Sequence, residues 1–416
     1  MLKKVLFVTY GGGHARMCIP VIKQLEAESD IKCEIIALTQ GGPIMQSEGY
    51  NYLGFKDFLR DEDNDARAIG EKLAKQFHNP ESGISYKETV AYLGLSYWDM
   101  VQRVGEEEAE KQWQKLGRQA FNPLLVFERV MEELKPNMVV VTNSPRGERA
   151  AVEVANKHSI TTLCMVDQFG INPLHTISAQ HIAVLCEHTI ENLQAQGVER
   201  PREVFHITGN PAFDNIYDFR GDIDLAFRKQ HFPSIPVEKK TVLWAEMHAY
   251  FNDNKELYIR TDNEIINVLD GLAEAAKKSD MHLLIRPHPS QPRGLYHNWI
   301  KNRNQSFIHY AGEIPLHPLL KASDIITSYG STVMVEAMLM QRKVVQLRYF
   351  REYTDIPLAK WGWCWLADNL DDLNRCFQEA LNDETKAQQM FNQIKKDLPQ
   401  EPAAPKISQL IRKILS

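Results

Sequence analysis

Short apolar runs rich in Val and Ile alternate with helix-forming stretches twice along the chain, and a polar, proline-punctuated break separates the two series. Strands spaced this way pair in parallel through helical crossovers. In the first series the strand-like runs are residues 5–9, 33–38, 136–142, 161–166, 182–185 and 204–208. In the second they are 241–245, 282–285, 308–310, 325–326 and 344–347, with a last one ending at Leu366. Helices are predicted at 17–27, 150–157, 262–278, 316–321, 333–340, 371–382, 385–396 and 407–415. Gly209-Asn210-Pro211 and the mixed stretch 214–240, with Pro233 and Pro236, form the break. The expectation is an α/β protein of two doubly wound domains whose strand carboxyl ends face one another across a cleft. The domains are placed at 1–215 and 216–395, with 396–416 as a linker and helix packing back on the first.

The region at about 56–134 departs from the alternation. It is rich in helix formers and charge, and reads as a helical insertion in the first domain. Its aromatics, Tyr86, Tyr92, Tyr97, Trp98 and Trp113, fit core packing at helical spacing. If functional, the insertion would shape an acceptor pocket. A formal charge of −6 argues against a nucleic-acid binder. The six cysteines contain no CxxC pair, so neither a zinc ribbon nor a disulfide framework is indicated. The first apolar run is too short for a signal peptide, and no stretch reaches the ~20 apolar residues of a membrane span. A cytoplasmic protein is expected, with room for peripheral contact at the inner face of the cell membrane.

Polar residues cluster where the predicted strands end, the favoured place for ligands in parallel sheets. The first strand runs into Gly11-Gly12-Gly13-His14, the opening of a Rossmann-like unit. It lacks the G-x-G-x-x-G fingerprint, so a nicotinamide cofactor is not expected. Gly12 and Gly13 would let a ligand approach the backbone, and His14 would sit at the crevice. The third run leads to Asn143, Arg146 and Glu148, and the fourth to Asp167 and Gln168. For Arg146, Glu148 and Asp167 the competing reading is a surface ion pair. In the second series Glu246 and His248 follow the first strand, and Arg286-Pro287-His288-Pro289 follows the next. Gly330-Ser331-Thr332 opens a helix carrying Glu336. A helix start with glycine and two hydroxyls suits an anion, although ordinary N-capping uses the same residues.

The layout resembles the two-domain GT-B glycosyltransferases and their relatives, the UDP-N-acetylglucosamine 2-epimerases. Gly11–His14 with Pro20 is similar to the glycine loop of lipid-linked N-acetylglucosaminyltransferases. The stretch 183–215, with Glu187, Asn192 and Thr208-Gly209-Asn210-Pro211, is similar to the interdomain passage of both groups. Arg286–Pro289 resembles the His-Pro element of epimerases, of CMP-sialic acid and Kdo transferases, and of CDP-glycerol glycerophosphotransferases. Gly330-Ser331-Thr332 with Glu336 resembles the diphosphate loop and the ribose-binding carboxylate. There are departures. Asn143 stands where such epimerases carry Asp, Asp167-Gln168-Phe169 where they carry Glu-Ala-Gly, and Ser331-Thr332 where they carry two glycines.

The resemblance implies a metal-independent glycosyltransferase without a cofactor. It would move a sugar from a nucleotide donor to a glycan or glycolipid hydroxyl in surface-polysaccharide synthesis. The hydroxyl pair favours a CMP-activated ulosonic acid such as Kdo, with a UDP-sugar open. Arg286, His288, Gly330, Ser331, Thr332 and Glu336 would hold the donor, and His288 would also protonate or hydrogen-bond a phosphate oxygen. Asp167 is the first choice for the base and His14 the second; Glu246 and His248 are further choices. The alternatives are a sugar-nucleotide epimerase and a non-catalytic nucleotide-sugar binder.

Overall fold

A computed structural model describes residues 2–28, 30–143, 145–167, 169–170, 178–247, 259–289, 291–348 and 356–416, and the backbone of 249–251 and 257–258. The chain divides into two compact units, Met1–Asp214 with Glu401–Ser416, and Asn215–Gln400.

Unit 1 is built on six parallel strands: β1 (Lys3–Tyr10), β2 (Ile31–Leu38), β3 (Met138–Thr142), β4 (Thr161–Met165), β5 (His181–Val184) and β6 (Phe205–Ile207). Their order is β2-β1-β3-β4-β5-β6. Helices α1 (Gly12–Glu26), α2 (Gly41–Ser47), α7 (Gly147–Lys157) and α8 (Glu187–Ala195) form the crossovers. Helices α3 (Asn64–Phe77), α4 (Tyr86–Val104), α5 (Glu106–Leu116) and α6 (Leu124–Leu134) form the insertion. Alternate residues of one strand feed opposite faces. Leu6, Val8, Val139 and Val141 join the core beneath the insertion, whereas Val5, Phe7, Met138 and Val140 pack towards α1. Within the insertion α3 and α4 cross backbone to backbone. A Cβ at Gly94 would lie 2.1 Å from the Ala66 carbonyl oxygen, and one at Gly70 2.2 Å from that of Val90. Tyr92 is buried and Tyr97, Trp98 and Trp113 pack on the core, while Tyr86 is exposed.

Unit 2 repeats the plan with α9 (Leu225–His231), β7 (Lys240–Ala245), a hairpin β8 (Ala249–Phe251) and β9 (Leu257–Ile259), α10 (Asp262–Lys278), β10 (Met281–Arg286), α11 (Arg293–Arg303), β11 (Ile308–Tyr310) and α12 (Leu316–Lys321). It continues through β12 (Ile325–Ser328), α13 (Thr332–Leu339), β13 (Lys343–Leu347), β14 (Trp365–Ala367), α14 (Asp372–Asn382) and α15 (Glu384–Asp397). The parallel order is β11-β10-β7-β12-β13-β14. A last helix, α16 (Ala403–Leu415), belongs to unit 1 and packs on α1. Its first N–H groups, on Ala403 and Ala404, donate to the Asp214 carboxylate at 2.6 and 2.8 Å. Among the described residues no helix is long and apolar enough to cross a membrane.

Several local expectations are corrected. Helix α1 starts at Gly12, not near Met17, with Gly11 as its N-cap at φ 95°. Glycine is a poor helix former, but a side chain at Gly12 would meet Ile44 at 2.6 Å, so packing overrides propensity. Gln40-Gly41-Gly42-Pro43 reads as a turn, but Gly41 starts α2 and Pro43 lies in its first turn, where proline costs no helical hydrogen bond. Helices α9 and α11 and the hairpin were not foreseen; α11 buries only Tyr296 and Trp299 and carries little apolar periodicity.

Glu246, expected at a strand end as a further choice for the base, is buried. Its Oε1 pairs with Arg260 at 2.7 Å, both side chains being fully buried. The same oxygen accepts from the Met247 N–H, and Oε2 accepts from Trp244 Nε1. The Arg260 guanidinium lies 4.4 Å from the centre of the Tyr329 ring. With both oxygens occupied, Glu246 is a structural anion and drops out of the choices for a base. Arg260→Met should cost about 3–5 kcal/mol by stranding a buried charge, and adding Glu246→Gln should recover much of it. Denaturant unfolding of the single and double variants tests this; a loss under about 1 kcal/mol for Arg260→Met rejects it.

The sheet edges carry paired histidines. His282 Nδ1 lies 2.9 Å from His309 Nε2 on β10 and β11, and His181 Nδ1 lies 3.2 Å from His206 Nε2 on β5 and β6. Burial holds all four below the usual imidazole range, His309 at about 4. The fold therefore favours the neutral rings. Their contribution is complete above the unfolded value of about 6.5 and is lost as pH falls from there towards about 4. The melting temperature should fall over that window, and His309→Gln with His206→Gln should flatten the fall. An unchanged pH profile in the double variant would reject this origin.

Candidate active site

In unit 1 the strand order reverses between β1 and β3, and the carboxyl ends of these strands frame the position where parallel sheets hold ligands. Glu148, on the first turn of α7, is fully buried there. Its Oε1 accepts from the Tyr10 N–H at 2.7 Å, and its Oε2 accepts from the N–H and the hydroxyl of Thr142, both at 2.6 Å. Burial raises the affinity of this carboxyl for a proton, opposed by His14 and by these donors. His14, half-buried on α1, meets the Thr142 hydroxyl through Nδ1. Glu148 is thus no surface ion-pair partner, as one expectation had it. It ties β1 to β3 and reaches His14 through one hydroxyl.

Asp167 follows β4. Its backbone N–H donates to Asn143 Oδ1 at 2.7 Å, and its Oδ1 accepts from Asn210 Nδ2 at 3.4 Å. Asn210 is buried and braces its own turn by accepting from the Ala212 N–H at 2.9 Å. Arg146 has a positive φ of 68° at the start of α7. Its guanidinium covers the Tyr10 ring at 4.7 Å and donates to the Arg118 carbonyl at 3.0 Å, so neither contact is the ion pair considered for it. Gly12 and Gly13 are the first residues of α1.

A cleft of about 320 Å³ lies beside α2, lined by Thr39, Gln46, Tyr52, Lys56, Ser85 and Glu88 among others. Burial pushes Glu88 up to about 7 although the Phe55 and Lys56 N–H groups donate to it.

In unit 2 the order reverses between β7 and β12. Beyond β12 the chain passes through buried Tyr329 and Gly330 into α13. Ser331 is the N-cap, its hydroxyl accepting from the Val333 N–H at 3.4 Å. The hydroxyls of Thr327 and Ser328, at the end of β12, are buried without hydrogen-bond partners. Glu336, one turn along α13, pairs with His317 of α12 at 2.8 Å. Arg286, at the end of β10, donates through Nη1 to the carbonyls of Ala311 and Ile314. Burial lowers its proton affinity, partly offset by Glu336. The His288 N–H donates to Gln291 Oε1 at 3.3 Å. Gln168 and His248 lie outside the described residues.

Unit 1 therefore brings together His14, Glu148 and the neighbouring Arg146, with Asp167 just beyond β4. Unit 2 brings together Arg286, Glu336 and the start of α13. The sequence reading missed Thr142, Asn210, His317 and Arg260. Thr142, the last polar residue of an otherwise apolar strand, and Asn210, within the quoted passage, carried a signal; His317 and Arg260 carried none.

The family model for UDP-N-acetylglucosamine 2-epimerases matches residues 173–412. No curated protein matches the chain in sequence. Among solved structures it resembles the UDP-GlcNAc 2-epimerase of Neisseria meningitidis bound to UDP-GlcNAc, at 16% identity and a TM-score of 0.59 over 99% of each chain. The Methanocaldococcus jannaschii UDP-GlcNAc 2-epimerase in complex with UDP-GlcNAc and UDP is 17% identical, with a TM-score of 0.56 over 99% of each chain. A glycosyltransferase from Rickettsia africae is 12% identical, with a TM-score of 0.59 over 100% of this chain and 99% of that one. These likenesses establish the fold as the two-domain, Rossmann-like GT-B architecture. Since the matched segment takes in more than half of the sequence, the chain belongs to the UDP-N-acetylglucosamine 2-epimerase family.

Proposed function

We propose that the protein acts on a UDP-activated amino sugar and inverts its configuration at C2. The observation that carries this is the start of α13, within the matched segment, where Gly330, Ser331 and Thr332 stand at the reversal of the unit 2 sheet. N–H groups at such a helix start suit a diphosphate. Arg286, anchored on two carbonyls, offers a planar cation for phosphate, and His288 offers an imidazole on the same loop. Glu336, one helical turn on and held by His317, would accept ribose hydroxyls. The named ligands of the similar epimerases move the expected nucleotide from CMP to UDP and the expected reaction from ulosonic-acid transfer to epimerisation.

A C2 hydrogen has no neighbouring carbonyl to acidify it. Its removal as a proton requires that the anomeric C–O bond break, the C–H electrons forming a C1–C2 double bond while the charge passes to the diphosphate, which the α13 start stabilises; protonation of C2 on the opposite face and return of the diphosphate to C1 complete the inversion. We assign the proton transfer to His14 and Asp167. Asp167 holds its place through Asn143 and Asn210.

One observation favours a second reading, transfer to an acceptor hydroxyl. Asn143 replaces an acidic residue of the epimerases this chain resembles, and its amide carries no titratable proton. Its Oδ1 serves instead to hold the Asp167 backbone. The polar cleft beside Glu88 would then accommodate part of an acceptor.

Incubation with UDP-GlcNAc in D2O, without acceptor, separates the two. Epimerisation yields the C2 epimer with deuterium at C2 by NMR, and Asp167→Asn should slow it about a hundredfold with little change in KM. Unlabelled starting sugar, with UDP released only when a hydroxyl acceptor is added, overturns the epimerase reading.

A further inference from the structure

We infer that Glu148 and Thr142 are positioning residues that hold His14 in a single tautomer, with Nδ1 protonated and Nε2 bare, as a proton acceptor for the substrate. The assignment rests on the proton transfer proposed above; its geometry stands apart from that proposal.

The directions of the hydrogen bonds follow from what each group can do. An ionised carboxylate only accepts. The single hydroxyl proton of Thr142 is directed at Glu148 Oε2, 2.6 Å away. Its oxygen therefore meets His14 Nδ1 as an acceptor, and Nδ1 must carry the hydrogen. In the neutral ring Nε2 is then left with its lone pair. When Nε2 takes a proton from the substrate, no other proton has to move. The imidazolium that results faces, through one hydroxyl, a carboxylate that is fully buried and poorly screened by water.

Glu148 also has a structural task, because it joins the Tyr10 and Thr142 N–H groups across β1 and β3. That task needs only backbone donors. The Thr142 hydroxyl is the one component that a purely structural staple does not require. Thr142→Val deletes it while keeping a β-branched side chain of similar shape and both backbone bonds to Glu148. Thr142→Ser keeps the hydroxyl.

The test is ¹⁵N NMR of the imidazole nitrogens in the full chain, with the His14 signals identified by their loss in His14→Gln. Wild type and Thr142→Ser should show the Nδ1–H form, and Thr142→Val should move towards the Nε2–H form. On UDP-GlcNAc, Thr142→Val should lower kcat about a hundredfold with KM changed less than about twofold, and Thr142→Ser should recover most of the rate. An Nε2–H tautomer in wild type, or a His14 spectrum indifferent to Thr142→Val, overturns the assignment. If Thr142→Val does not fold, Glu148→Gln with the same readout decides. An inert UDP-GlcNAc alongside the expected Nδ1–H signal sinks the functional reading and leaves the tautomer assignment standing.

Discussion

A parallel sheet covered on both faces gives the interior of a strand no polar surroundings, so chemistry is displaced to the strand ends. Val5–Val8 and Val139–Val141 are fully buried, alternate residues going to opposite cores. The backbone groups that emerge at the carboxyl ends still need partners. In unit 1 Glu148 provides them, accepting from Tyr10 on one strand and Thr142 on the other. A charge buried that deeply is tolerable only with such donors around it. The same three donors bring it within one hydroxyl of His14, so closure of the sheet and placement of the imidazole share one carboxylate.

Unit 2 meets the same constraint differently. At its reversal point Glu246 is neutralised by Arg260 and bonded by Trp244, which closes the end of β7 with a dry ion pair under the Tyr329 ring. The opening on the β12 side is left to a helix start and small residues. Two sheets of like topology thus put a buried carboxylate at corresponding places with different surroundings. One lies beside a titratable histidine, the other beside a permanent cation.

Much of this was legible in the strand and helix periodicities. The double alternation, the insertion, and the start of α13 each rest on patterns within a few neighbouring residues. Helix α10 could be placed because Thr261 and Glu264 form a capping box before an apolar stripe. Helix α1 was misplaced by five residues because glycine propensity was read without the contact to Ile44 that selects glycine there. The residues that frame the site were harder to see. Asp167 and His14 could be picked by their position after a strand, but Glu148 could not be told from a surface carboxylate until Tyr10 and Thr142 converged on it.

The sequence by itself determined the two parallel sheets, since alternating apolar runs and helices have few other ways to bury their faces, and it marked the loops in which polar residues gather. Only the tertiary structure decided which of those polar residues are partners. Glu148 and Glu246 each follow or precede a strand end and look alike along the chain. Contacts between residues 138 apart in one case, and a guanidinium from between β9 and α10 in the other, give them different surroundings. Such long-range contacts depend on strand order, and strand order is not written in any local stretch.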